Sequence, residues 1–211
     1  MTTKIALVTG RSRVLGKEMA LAAKGTLLLV AAIALAATSF GQTMWTTDKN
    51  HAQLHFSAVH FGIAHIEGVF REFTVTMVSE KEDFSDAQVE MVAQVASVNT
   101  QVEMRDNDLR SKNWFDAEQF PVITFKSTSF KKAEGKDYQL AGNITLHGVT
   151  MPVVFNVVFN GWAVTMTKKK TAGFTVTGKL KRSDFNVGGT PPETGVSDEI
   201  EVWANVEIGK N

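Results

Sequence analysis

The sequence predicts an all-β protein: a closed antiparallel barrel of about eight strands, with one short helix inserted around residues 102–119. Two observations support this fold class. Eight apolar segments follow one another from residue 54 to residue 208, and many of them alternate apolar and polar residues with the period of two that a half-buried strand shows. About 170 residues are enough for eight such strands to close on themselves, which removes exposed sheet edges and leaves a narrow interior.

The N-terminal segment is set apart from this fold by its composition. Leu27–Ala37 is a continuous apolar run preceded by Lys24, and small residues, Ser39 and Gly41, come directly before Gln42. Eleven apolar residues are too few to cross a hydrocarbon core of about 30 Å at about 1.5 Å per residue. We therefore expect residues 1–41 to be a signal peptide and the product to be periplasmic or secreted after cleavage near Gln42. An uncleaved membrane anchor is the alternative.

An unusual extension precedes the signal-like run. Lys4–Gly16 resembles the opening strand and glycine turn of a short-chain dehydrogenase, but Val14 stands where that pattern has glycine. A dinucleotide fold also needs further βαβ units, which the following segment cannot supply. We interpret the extension as non-functional, and it is either a misplaced start ahead of Met19 or a fusion remnant.

Charge and cysteine content exclude several classes of function. The whole chain has 22 basic and 22 acidic residues, and removal of residues 1–41 leaves 17 basic against 21 acidic, a net charge of −4. A mildly acidic domain with one short basic run, Lys168–Lys170, is not typical of nucleic-acid binding. The chain has no cysteine, so disulfides, thiolate nucleophiles and cysteine metal ligands are excluded.

The predicted strands are separated by turn signals. The most distinct is the pair His147-Gly148, which interrupts an alternating apolar run before Pro152 and indicates a tight hairpin. In chain order the eight strands are Leu54–Val59, Val69–Val78, Gln88–Val98, Val122–Phe130, Tyr138–Leu146, Val153–Phe159, Ala172–Leu180 and Ile200–Ile208.

One segment, Val102–Gln119, breaks the strand pattern with apolar residues spaced as on an amphipathic helix. Asn99 or Thr100 is a plausible N-cap, and Pro121 forces the chain out of helical geometry before the next strand. We expect this helix to close one end of the barrel. The alternative is that this helix forms a movable lid over a cavity.

The chain from Trp45 onward carries a series of short motifs: Trp45–Asp48 with His51 and Phe56, His60–Ile63, Gly68–Phe70, Ser97–Thr100, Arg105–Asp106, Leu109–Ser111, Phe115–Asp116, Phe120–Pro121, Thr124–Phe125 with Ser127, Gly142, Thr145–Thr150 with Pro152–Val153, Arg182–Phe185 and Val196–Asp198. In these motifs it resembles the YceI-like family of exported lipid-binding proteins. Ala52 departs from the family pattern, which usually has serine after the histidine.

The resemblance implies a lipocalin-like barrel that holds a long isoprenoid chain, either a polyprenyl lipid or the tail of an isoprenoid quinone, as carrier or reservoir and with no required cofactor. Fourteen phenylalanines against one tyrosine suit a hydrocarbon-lined interior, and they suit an ordinary core equally well. The candidate tail-binding residues are Phe56, Phe70, Phe73, Phe115, Phe125, Phe155 and Phe174.

Four polar residues are candidates for the lipid head group because they interrupt apolar segments near predicted strand or helix ends: His60, Arg105, Asp106 and His147. Each also has a structural interpretation. Arg105 and Asp106 are adjacent and do not face each other on a helix, so each is expected to pair elsewhere and pin the helix. His147 is expected to be a turn residue, and His60 is either a core histidine or a mouth residue.

Two other classes of function remain as alternatives. One alternative is a metal- or haem-associated stress protein, because four histidines lie within fifteen residues: His51, His55, His60 and His65. Strand parity weakens this alternative, since it places His60 on the opposite face from the others. An enzyme acting on a bound isoprenoid would need a titratable group in the cavity, and the motifs of common hydrolases and zinc enzymes do not occur. Partners compatible with the sequence are a transiently contacted membrane and a second copy of the chain.

Overall fold

The structure, a computed structural model, describes residues 43–166, 168–189 and 195–210. The predictions for the signal peptide and its extension fall outside these residues. The strands are β1 (Thr43–His60), β2 (Ala64–Phe70), β3 (Phe73–Ser79), β4 (Gln88–Gln94), β5 (Val98–Asn99), β6 (Val122–Lys132), β7 (Asp137–Leu146), β8 (Val149–Val164), β9 (Lys170–Lys181) and β10 (Glu199–Lys210). Helix α1 spans Glu103–Arg110, and 3-10 turns span Val95–Ser97 and Arg182–Phe185.

These ten segments form an eight-stranded barrel within the described residues. β2 and β3 lie one after the other along the same edge of β1, and β5 and β4 pair with them in the same way, so each of these two pairs acts as one interrupted strand. All pairings are antiparallel, the strands follow chain order, and β10 pairs with β1 to close the ring. The predicted fold class is confirmed.

β1 is longer than the sequence predicted, because it begins at Thr43 rather than Leu54. Its pairing with β10 shifts between Thr47 and Ala52, where extra residues bulge out of the ladder. The polar residues of this bulge hide the apolar alternation on which the prediction relied.

The hairpin between β7 and β8 was predicted correctly. His147 and Gly148 both adopt positive φ angles, 51° and 74°. Positive φ at both central residues is the requirement of a two-residue type I′ turn, whose twist matches that of the flanking strands.

Helix α1 is shorter than predicted, and neither Asn99 nor Thr100 is its N-cap. The N-cap is Val102, which makes no side-chain capping bond. After Arg110 the backbone turns back on itself, since the amide of Phe115 donates to Leu109 O (3.0 Å) and that of Ala117 to Arg110 O (3.0 Å). Residues 111–120 are therefore turns, and the apolar spacing reflects packing against the barrel instead of a continuous helix.

The alternating strand directions give the barrel two different ends. The helix end carries the β1–β2 hairpin, α1, the His147-Gly148 turn and, of the chain between β9 and β10, the described residues 182–189 and 195–198. The opposite end is filled by an aromatic plug, whose ring centroids lie 5.1–6.0 Å apart in the contacting pairs and which consists of Trp45, Phe84, Phe159, Trp162 and Phe174. Across the described residues, no helix has the length and apolar character needed to cross a membrane.

Candidate functional site

The barrel encloses a cavity of about 470 Å³ that is lined by side chains from every barrel strand and from the helix end. This volume lies within the range of ordinary small-molecule pockets. Most of the lining is aliphatic or aromatic. Aliphatic wall residues that the sequence analysis did not single out include Leu54, Met77, Met91, Ile123, Ile144, Val157, Val176 and Ile208. Their inward parity along the predicted strands was the signal that could have identified them.

Nine of the eleven candidate binding residues line this cavity. Phe70, Phe125, Phe155 and Phe174 are buried, and the other aromatic candidates are partly buried. The nine are Phe56, His60, Phe70, Phe73, Arg105, Phe115, Phe125, Phe155 and Phe174.

The other two candidates, Asp106 and His147, do not line the cavity. Asp106 is 3% exposed and accepts hydrogen bonds from the Thr100 amide (2.7 Å) and hydroxyl (2.6 Å). His147 Nδ1 lies 3.1 Å from the Phe185 carbonyl oxygen, and its ring packs edge-on against Phe120. The structural interpretations, a residue that pins the helix and a turn residue, are the ones that the geometry supports.

Several inward phenylalanine rings lie flat along the barrel wall because the neighbouring strand has a glycine beneath them. A Cβ added at Gly142 would lie 2.6 Å from Phe125 Cε2, well inside van der Waals contact. The same close approach occurs in three pairs of residues, Phe56 with Gly68, Phe125 with Gly142, and Phe155 with Gly178. The missing side chains let the rings lie against the sheet, which keeps the middle of the lumen open.

The charged cavity residues of the described chain, Arg105, Asp108 and Arg182, all belong to segments at the helix end. Arg105 is fixed from one side, since its Nε donates to Thr100 Oγ1 (2.7 Å) and its Nη2 to Thr100 O (2.8 Å). The Thr100 hydroxyl in turn donates to Asp106 Oδ1. This chain of hydrogen bonds orients Arg105 at the polar end of an otherwise apolar cavity.

In the sequence, Arg182 stood out only as a member of the motif Arg182–Phe185. In the structure it makes several hydrogen bonds that fix the backbone around it. It is 4% exposed and donates to backbone carbonyl oxygens of the following segment, including Val187 (2.8 Å), Gly188 (2.9 Å) and Val196 (3.2 Å). Its guanidinium also lies 5.7 Å from the Trp114 ring centroid, and burial lowers its pKa. Arg182 therefore holds residues 187–189 and Val196 at the helix end. A charged residue between a strand and a predicted loop was the available signal.

The four histidines considered as a metal cluster have separate surroundings, and His65 is exposed on β2 opposite Val59. His51 pairs with Asp48 (2.9 Å), His55 stacks on Trp203 with ring centroids 5.0 Å apart, and His60 lies beside Phe61. Within the described residues, the group of three potential ligands close enough to share an ion is Asp48, His51 and Glu207, whose ligand atoms lie within 4.8 Å of one another. Asp48 and His51 lie in the β1 bulge and Glu207 lies in β10, and none of the three lines the cavity.

Fold and cavity together define a class: a lipocalin-like closed barrel with an apolar interior and polar groups at one end. The chain belongs to the YceI-like domain family, whose sequence model matches residues 45–208. It is 36% identical over 160 residues to Protein YceI of Salmonella arizonae, an alignment that covers 76% of this chain and 82% of that protein.

Solved structures show the same architecture. Campylobacter jejuni YceI protein has a TM-score of 0.65 at 27% identity, and the match covers 71% of this chain and 87% of that one. Burkholderia cenocepacia BcnA has a TM-score of 0.69 at 24% identity, with 76% and 98% covered. A polyisoprenoid binding domain from Saccharophagus degradans has a TM-score of 0.54 at 15% identity, with 81% and 99% covered.

Proposed function

We propose that this protein binds the hydrocarbon chain of an isoprenoid lipid, a polyprenyl lipid or an isoprenoid quinone, inside the barrel and serves as its carrier or reservoir. One observation carries the proposal: the apolar cavity of about 470 Å³ runs inside the barrel, and its charged groups lie at one end. That arrangement matches a ligand with a long apolar tail and a single polar head.

The free energy available to such a ligand is large. Each methylene removed from water contributes about 0.8 kcal/mol, and an isoprenoid tail carries many carbons. Ordering the tail and losing its translational freedom offset part of this gain. The surplus still favours a bound tail, and it grows with the length of chain that the cavity accepts.

The head group is assigned to the helix end. Arg105 is oriented there by Thr100, and Asp108 and His60 line the same part of the cavity wall. A polar head beside these side chains could accept hydrogen bonds from Arg105 and donate to Asp108. The aromatic plug at the other end would limit how far the tail extends.

A solved structure of the same fold supports this class of ligand. The Saccharophagus degradans protein is described as a polyisoprenoid binding domain, and at 15% identity its likeness to this chain is one of fold. Membership of the YceI-like family and the apolar lumen point in the same direction. We further infer that the protein is exported, because of the Leu27–Ala37 run, and that it acts by binding without catalysing a reaction on the lipid.

The test is mass spectrometry of organic extracts from the protein purified after export and, separately, from the protein produced without residues 1–41. A stoichiometric isoprenoid lipid or quinone is expected in the exported form, and it would identify the head group directly. An empty extract from folded, exported protein would contradict the proposal.

A pair of variants locates the ligand. Ala204→Phe places a ring in the lumen, because Ala204 is buried and lines the cavity. Thr177→Phe adds the same ring at an exposed position of β9. We expect the first variant to lose most of the extracted lipid and the second to retain it. Equal retention in both variants would place the lipid outside the barrel.

A further inference from the structure

We propose that the helix end of the barrel docks on a lipid bilayer through three exposed apolar side chains, Phe61, Ile63 and Met104. The inference rests on the proposed function and names where the ligand enters and leaves. It concerns the surface around the cavity mouth, whereas the proposed function concerns the interior.

These side chains are unusually exposed for their size and polarity. The exposed fraction is 69% for Phe61, 88% for Ile63 and 81% for Met104. Single exposed apolar residues are common, but three large ones at one end of a barrel form a surface that water solvates poorly. Transfer of such side chains from water to an apolar medium is favourable in proportion to the area removed from water.

The three residues flank the same opening from two separate elements. Phe61 directly follows His60 at the tip of the β1–β2 hairpin, and Met104 directly precedes Arg105 in α1. His60 and Arg105 both line the cavity. The apolar side chains therefore lie next to cavity-lining residues, on two different elements of the helix end.

The hairpin tip is held in a defined conformation by its backbone. The Phe61 amide donates to Gly195 O (2.6 Å), the Ile63 amide donates to His60 O (3.1 Å), and Phe61 has a φ of 48°. A non-glycine residue at positive φ is uncommon and needs support from its surroundings. The tip thus presents Phe61 and Ile63 outward on a fixed turn.

A lipid bilayer is the occupant that fits this surface best. Residues 60–66 contain no lysine or arginine, α1 has two arginines against three acidic residues, and the chain after residue 41 has a net charge of −4. Attraction to anionic lipid head groups would therefore contribute little. Insertion of apolar side chains into the interface needs no such charge. It would also join the bilayer interior to the apolar lumen, so that an isoprenoid tail could pass between them without crossing water.

The test compares two double variants in co-sedimentation with empty phosphatidylcholine vesicles. The double variant Phe61→Asn with Ile63→Asn replaces the apolar side chains of the hairpin tip by polar ones. Asparagine tolerates the positive φ at residue 61. The matched control is Val164→Asn with Met166→Asn, an exposed apolar pair at the plug end of the barrel. We expect vesicle binding of the hairpin variant to be about tenfold weaker or more, and that of the control to equal wild type.

Equal vesicle binding by all three proteins, or a loss confined to the plug-end variant, would overturn the proposal. A second measurement adds an isoprenoid quinone to each protein in detergent solution, where no bilayer is needed. The hairpin variant is expected to take up as much quinone as wild type, and a parallel loss of uptake would also overturn the docking role. A wild-type protein that binds empty vesicles but takes up no quinone would instead contradict the proposed function alone.

Discussion

The ring of Phe155 in β8 lies directly against Gly178 in β9, so close that a Cβ at residue 178 would stand 2.9 Å from Phe155 Cε1. Phe155 is buried and lines the cavity. The glycine therefore determines the shape of the lumen as well as the local packing, because it allows the ring to lie along the wall.

Gly178→Ala is expected to lower the free energy of unfolding by about 1–3 kcal/mol, since the added methyl group must push the Phe155 ring toward the lumen. The same displacement should reduce the amount of lipid that the protein retains. Chemical denaturation measures the first effect, and mass spectrometry of organic extracts measures the second.

The control for this prediction is Gly173→Ala on the same strand. A Cβ at Gly173 would lie 3.5 Å from Asn160 Cβ, an ordinary contact distance. That variant is expected to be neutral or slightly stabilising, since glycine is a poor strand residue. Similar losses of stability in the two variants would show that close approach of the Phe155 ring is not the cause.

Thr100→Val tests the hydrogen bonds that orient Arg105. The hydroxyl of Thr100 donates to Asp106 Oδ1 and accepts from Arg105 Nε, so valine, which has nearly the same shape, leaves a buried carboxylate one donor short. The expected cost is about 1–3 kcal/mol of unfolding free energy. Thr74→Val, at an exposed position of β3, should have little effect on the denaturation midpoint. A cost equal to that of the control would mean that Asp106 and Arg105 find other partners.

The ion pair on the β1 bulge should be visible in the titration of His51. The hydrogen bond from His51 to Asp48 raises the pKa of His51 above its ordinary 6.5 and, with the Asn50 amide, lowers the pKa of Asp48 below its ordinary 3.8. The contribution of His51 to stability is present below pH 6.5 and is lost as the pH rises through its raised pKa. The contribution of Asp48 to stability is present above pH 3.8 and is lost as the pH falls through the lowered pKa of its carboxyl group.

The pair is thus fully formed between about pH 3.8 and pH 6.5. NMR titration of the imidazole is the measurement. Asp48→Asn is expected to lower the pKa of His51 by more than Glu207→Gln does, because Glu207 acts on His51 only through a weaker electrostatic interaction. A larger effect of the Glu207 variant would contradict the assignment of Asp48 as the principal partner.

The sequence predicted the barrel because its strands follow a period of two, and the candidate phenylalanines form part of the cavity wall. Phe125 and Phe155 stand on the inward side of well-patterned strands, and both line the cavity. Asp106 was different. A buried carboxylate that bonds to Thr100 and a carboxylate at a ligand site have the same sequence context, and only the tertiary position of α1 separates them. Likewise, the apolar spacing after Arg110 fits a helix, whereas the chain turns back there.

The aromatic plug was also beyond sequence reasoning, because its rings come from four separate segments. Phe84 is at its centre and has no exposed surface. Phe84→Ala is expected to lower the unfolding free energy by about 3–5 kcal/mol, as other buried phenylalanine truncations do. Phe61→Ala, at a largely exposed ring, should cost far less. Denaturation midpoints that shift equally would show that the plug contributes no more than a surface ring.

Opening the plug should also change the ligand. If the tail ends against these rings, the lipid extracted from Phe84→Ala protein is expected to include longer chains than the lipid from wild type. An unchanged chain-length distribution would mean that the tail stops before it reaches the plug.

The closure of β10 on β1 has a kinetic consequence. Trp45 pairs with Lys210, so the contact that completes the ring joins the two ends of the described chain and requires the closure of almost its longest loop. Barrels dominated by such non-local pairing fold slowly. A nascent chain that lacks Glu199–Lys210 leaves the edges of both β1 and β9 unpaired, and open edges of this kind invite aggregation. Closure of the barrel must therefore wait for the last strand, and until then two strand edges stay exposed to other chains.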